Sequence, residues 1–68
     1  MNIILNGETQ SIAETCTISE LIEQLDLADK RLAVEVNLDI IPRSEHKDYQ
    51  FQENDKVEIV HAIGGGQF

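Results

Sequence analysis

Sixty-eight residues suffice for one domain, and a chain of that length buries only about 60% of the surface its unfolded form exposes. With 13 acidic against 5 basic residues and a net charge of -8, it repels nucleic acid and anionic membranes and attracts a basic protein surface. A single cysteine excludes an intrachain disulfide and a four-ligand iron–sulfur cluster; with two well-separated histidines it makes no metal site. So thin a core favours binding and carrier roles over a deep catalytic cleft.

The first segment, MNIILNGETQ, has neither a charged leader nor a long apolar run, so it is expected to be neither a signal peptide nor a membrane span. A cytoplasmic location is the expectation. Asn2 to Leu5 is rich in β-formers, and Asn6-Gly7 supplies two positions that tolerate positive φ. Residues 8–13 are the expected return strand of a hairpin. Cys16 is expected to pack as a small buried hydrophobe.

Ile18, Leu21, Ile22 and Leu25 recur at i, i+3, i+4 and i+7, which predicts a helix over residues 18–27. Thr17 stands three residues before Glu20, the spacing of a capping box. In LAVEVN, Leu32, Val34 and Val36 alternate with Ala33, Glu35 and Asn37, as in a strand buried on one face. Residues 37–39 turn the chain, and Pro42 after Ile40-Ile41 marks a strand end or sheet edge. SEHKDYQF is a polar connector with one helical turn and a short edge strand expected near residues 49–51. His46 is expected to be solvated, and Arg43 to pair with the acidic surface.

The last run, KVEIVHAI, is apolar on both sides: Val57, Ile59 and Ile63 against Val60 and Ala62. Such a strand belongs in the middle of a sheet. His61 would then point toward the helix, half-buried. Hairpin, helix, strand, edge strand and central strand, joined by a right-handed crossover, make an α+β domain of β-grasp type. One mixed sheet of four to five strands holds one main helix. Ile4, Val60 and Ala62 should share the sheet face away from the helix, as scattered apolar surface or as a partner-docking patch. The expected division is a β-grasp domain at 1–63 and a flexible tail at 64–68.

The NG hairpin, the capped stretch TISELIEQLDL, VEVNLDIIPRS and the close VEIVHAIGGG together resemble the ThiS family of ubiquitin-like sulfur carriers in thiamin thiazole synthesis. The resemblance covers essentially the whole chain. It implies that an adenylyltransferase akin to ubiquitin-activating enzymes (ThiF-like) activates the carboxylate of Gly66 with ATP and magnesium. A persulfide donor then supplies sulfur, leaving a thiocarboxylate for a thiazole synthase (ThiG-like). The domain would bind no cofactor and act as a cosubstrate. Gly64 and Gly65, lacking side chains, would let the backbone pass through a narrow partner channel. Gln67 and Phe68 depart from the Gly-Gly ending of the family. They are expected to form a cap removed by a trimming peptidase, a cloning remnant being the alternative. A carrier for molybdopterin or sulfur amino acid synthesis, or a passive β-grasp interaction module, are the other functional readings.

Overall fold

Two turns of the same chemistry set the sheet. The computed structural model describes residues 1–61. Strand β1 (Asn2–Leu5) pairs antiparallel with β2 (Glu8–Ser11), and the register Leu5↔Glu8 leaves Asn6-Gly7 as a two-residue turn. Their φ values, 48° and 87°, are those of a turn whose twist matches the strands. Strand β3 (Leu32–Val36) pairs antiparallel with β4 (Asp39–Ile40) around Asn37-Leu38, with φ 52° and 75°. Each hairpin thus turns on an asparagine in the left-handed region.

Strand β5 (Lys56–His61) lies between the hairpins, giving the order β2-β1-β5-β3-β4. It runs parallel to β1 and antiparallel to β3. The final strand of the described chain is therefore the central one, the place expected for it from the sequence. The turn asparagines also hold it. Asn6 accepts from the Ile59 N–H at 3.0 Å and donates through Nδ2 to the Ile59 carbonyl at 3.3 Å. Asn37 accepts from the Lys56 N–H at 3.0 Å and donates to Asp55 Oδ1 at 3.0 Å. Each side chain thereby extends its strand's pairing with β5 beyond the point where the backbone turns away.

Helix α1 (Ile18–Gln24) crosses one face. Its first N–H groups are all satisfied: Ile18 donates to the Tyr49 carbonyl, Ser19 to that of His46, and Glu20 to Thr17 Oγ1. The Glu20 carboxylate in turn accepts from the Thr17 N–H at 2.9 Å, completing the capping box. The helix is shorter than its apolar spacing predicts because Asp26, at φ 62°, takes the left-handed position that usually falls to glycine. Asp26 and Leu27 donate back to Glu23 and Ile22, closing the last turn. Leu25 and Leu27 still pack on the core from outside the helix.

Ile18, Leu21 and Ile22 bury against Ile3, Val34, Val36, Val57 and Ile59, with Ile12, Cys16 and Phe51 closing the sides. Full burial of each such aliphatic side chain contributes about 1.5–3 kcal/mol. The connector after β4 differs from expectation in two respects. A 3-10 turn (Arg43–Glu45) supplies the helical element, but no edge strand forms at residues 49–51; Gln50 makes only an isolated bridge to Thr17. The connector must serve the helix N-terminus with its carbonyls, so its backbone is not available to a ladder. His46 is 7% exposed, not solvated, because it turns inward here: its carbonyl serves Ser19, and its Nε2 lies 3.0 Å from the Ile41 carbonyl. Among the described residues no helix is long and apolar enough to cross a membrane.

Candidate functional site

Side-chain alternation on β5 sorts two surfaces. Val57 and Ile59 point into the core, while Lys56, Glu58 and Val60 point to the face away from the helix. On β1, Ile3 is fully buried and Ile4 takes the opposite face, level with Lys56 and Thr9. Ile4 and Val60 therefore share the outer face, with Val60 52% exposed beside Ala33. The register does not bring them together. They stand four residues apart along β5, about 13 Å, with Glu58 between their levels.

Across that middle level lie Glu58, Glu35 and Ile40, on β5, β3 and β4. Glu58 and Glu35 are direct cross-strand partners of like charge, an arrangement that destabilises a sheet. Ile40, 68% exposed, extends the apolar surface to the sheet edge, and Leu38 at the adjoining turn is 84% exposed. The sequence pattern holds the signal for Ile40. A two-residue turn after core-facing Val36 places Ile40 opposite Glu35, on the outer face. The outer face thus offers separated aliphatic contacts around two carboxylates, suited to a partner whose surface is both apolar and basic.

His61 closes β5 opposite Leu32 and is exposed, where half-burial was expected. It sits on the last described rung of β5. Arg43 makes no ion pair with the acidic surface among the described residues. Among them, too, no group of three His, Cys, Asp or Glu side chains could hold a metal ion. Cys16 is buried, and that burial, reinforced by the nearby Glu20 carboxylate, pushes its thiol above the ordinary value, which suits packing and not nucleophilic chemistry. Ala62, Gly64, Gly65, Gly66, Gln67 and Phe68 lie outside the described residues, as does the domain boundary expected at Ile63.

A family model described as the ThiS family matches residues 3–66. The chain belongs to the ThiS family. Among relatives of this ThiS-family chain, the sulfur carrier protein ThiS of Escherichia coli is 32% identical over 66 residues, covering 97% of this chain and all of that protein. The crystal structure of a thiamine biosynthesis protein (ThiS) from Geobacter metallireducens superposes with a TM-score of 0.82 at 29% identity, over 97% of this chain and 100% of the other. That match confirms the β-grasp architecture. The chain also spans about a fifth of the length of two thiazole synthases. The protein of Paramagnetospirillum magneticum is 36% identical over 66 residues, 97% of this chain and 20% of its own length. That of Magnetococcus marinus is 39% identical over 67 residues, 98% of this chain and 21% of its own.

Proposed function

We propose that this ThiS-family domain is a sulfur carrier for thiazole formation in thiamin biosynthesis, acting as a cosubstrate and not as an enzyme. The observation that carries the reading is the end-to-end match to a sulfur carrier of the same size and fold, extending to Gly66 in the family model. The architecture supports it. Strand β5 is paired on both sides, so the segment that carries Gly66 follows the central strand of the sheet in sequence. Gly66 follows His61 by five residues, an extended reach of about 17 Å. That is enough to carry a carboxylate away from the domain while the sheet face stays on a partner.

In the proposed sequence, a carboxylate oxygen of Gly66 attacks the α-phosphorus of ATP in the activating partner, and pyrophosphate leaves. The resulting acyl adenylate is a far better electrophile than the carboxylate. A persulfide sulfur attacks its carbonyl carbon and expels AMP; electron balance then asks for a thiol to split the S–S bond, leaving the thiocarboxylate. Magnesium and ATP belong to the partner. Gly64 and Gly65 supply backbone without side chains for the partner's channel, and Gln67-Phe68 is removed by a peptidase before reaction. Ile4, Val60 and Ala62 contribute to docking, with Glu35 and Glu58 drawing a basic partner. The two thiazole synthases that contain a segment like this domain support a ThiG-like acceptor of the sulfur.

The test is pyrophosphate exchange with purified ThiF-like enzyme, followed by intact mass after adding a persulfide donor. A chain ending at Gly66 is expected to exchange readily and then to gain the mass of sulfur in place of oxygen. The 68-residue chain is expected to react only after trimming. The reason is geometric: misplacing a reacting group by about 1 Å can cost about a hundredfold in rate. Equal exchange by both forms defeats the role given to Gln67-Phe68. Absence of exchange by the Gly66 form defeats the carrier reading.

A further inference from the structure

Positive charge is scarce on this molecule, yet three of its five Lys and Arg residues line one cleft of about 320 Å³. Lys30 comes from the segment before β3, Arg43 opens the 3-10 turn, and Lys47 follows that turn. Among the described residues no ion pair or hydrogen bond occupies their head groups, although the chain has 13 carboxylate side chains. Glu23 is the one acidic residue lining the cleft. Gathering cations from separate segments costs repulsion that pairing with acids would relieve. Among the described residues no group gives that relief.

The rest of the cleft describes the ligand. Ile22 and Leu32 give it apolar walls. His46 is buried in its wall, held by its Nε2 at 3.0 Å from the Ile41 carbonyl and by the Ser19 N–H donated to its own carbonyl. Because the first N–H groups of α1 are already taken, attraction for an anion comes from side chains and not from the helix end. An arginine with flanking lysines suits the flat or tetrahedral oxygens of a carboxylate or phosphate. The volume is at the lower end of that of small-molecule sites.

We propose that this cleft binds a small organic anion. Its carboxylate or phosphate lies among Lys30, Arg43 and Lys47, and its apolar body rests on Ile22 and Leu32. The proposal goes beyond the sulfur-carrier reading and does not rest on it.

The test is ¹⁵N NMR of the full chain titrated with phenyl phosphate and, separately, inorganic phosphate. Phenyl phosphate is expected to give saturable amide shifts gathered at Ser19, Lys30, Arg43, His46 and Lys47, with Kd on the order of 1 mM. Inorganic phosphate, lacking the apolar body, is expected to bind the same residues more weakly. The double variant Arg43→Gln/Lys47→Gln should keep its spectrum elsewhere and lose about tenfold in affinity, whereas Lys56→Gln, outside the cleft, should lose none. Lys30→Gln reads the same site from a separate segment. Shifts that never saturate, that spread equally to Arg31 and Lys56, or that survive the double variant overturn the proposal. Binding of an oligoglutamate peptide where phenyl phosphate fails also overturns it, in favour of an acidic protein partner.

Discussion

Asn6 and Leu38 occupy turns of the same geometry with opposite consequences. Asn6 tolerates its φ of 48° and spends both polar atoms of its side chain on Ile59 of the central strand. Asn6→Ala leaves the Ile59 N–H without that acceptor, and the expected loss is about 1–3 kcal/mol. Asn6→Asp keeps the acceptor but not the donor and should fall between; chemical denaturation of the three proteins checks the order. Leu38 holds φ 75° with its side chain almost wholly in water, so it carries the backbone strain without a burial gain. Leu38→Gly is therefore expected to stabilise the domain by about 1 kcal/mol, raising Tm by about 4–8 °C. A lower Tm would mean that Leu38 makes a contact its exposure does not suggest.

At the scale of the element, β5 decides the most. Its alternation gives neighbouring residues opposite fates. Ile59 is buried against Val34 and the helix layer, whereas Val60, one residue on, faces outward beside Ala33. Ile59→Asp puts an unpaired charge in a core whose total stability is only a few kcal/mol, and it should unfold the domain. Val60→Asp should leave the circular dichroism spectrum and melting cooperativity intact while weakening association with the ThiF-like partner proposed above. An unfolded Val60→Asp protein would reverse the two faces assigned here. Helix α1 shows the other side of element-scale reasoning. Its start is fixed by a local reciprocal pair, Thr17 and Glu20, that any reader of TISE can see. Its end is fixed by Asp26 in a conformation for which aspartate is a less common occupant than glycine, so the apolar spacing runs on past the true terminus.

For the whole molecule, one buried and one half-buried acid are expected to shape the alkaline side of its stability. Burial, helped by Glu20, raises the Cys16 thiol above its ordinary value of 9.0. Burial, then Asp55 and Asp39, raises Tyr49 above 10.0. In both cases the folded state holds its proton more tightly than the unfolded chain does. The stability from these groups is fully present below the unfolded values and is lost as pH rises toward the folded ones. Stability should therefore be level from neutral pH to about 9 and fall beyond it, with Cys16→Ser and Tyr49→Phe each reducing the slope. Denaturant midpoints measured across that range check this; an unchanged slope in both variants would assign the alkaline loss to other groups. For the same reason Cys16 should alkylate slowly in the native protein and readily once unfolded.

By itself the sequence determined the parts whose causes are local. Asn6-Gly7 specifies a tight hairpin, Thr17 and Glu20 specify a helix start, and the alternation in LAVEV specifies a half-buried strand. The apolar run in KVEIVHAI points to the centre of a sheet, and with these parts in order few topologies remain. Tertiary structure alone decided what depends on residues distant in the chain. His46 is buried within a polar run because its carbonyl is needed by Ser19 at the helix start. The connector at residues 49–51 forms no edge strand because its backbone serves the same helix. Lys30, Arg43 and Lys47 face one cleft only after β3 and the 3-10 turn have been brought beside the helix. Local hydrogen bonds and side-chain periodicity act over a few residues and can be read along the chain; long-range burial and charge placement exist only once the chain has closed on itself.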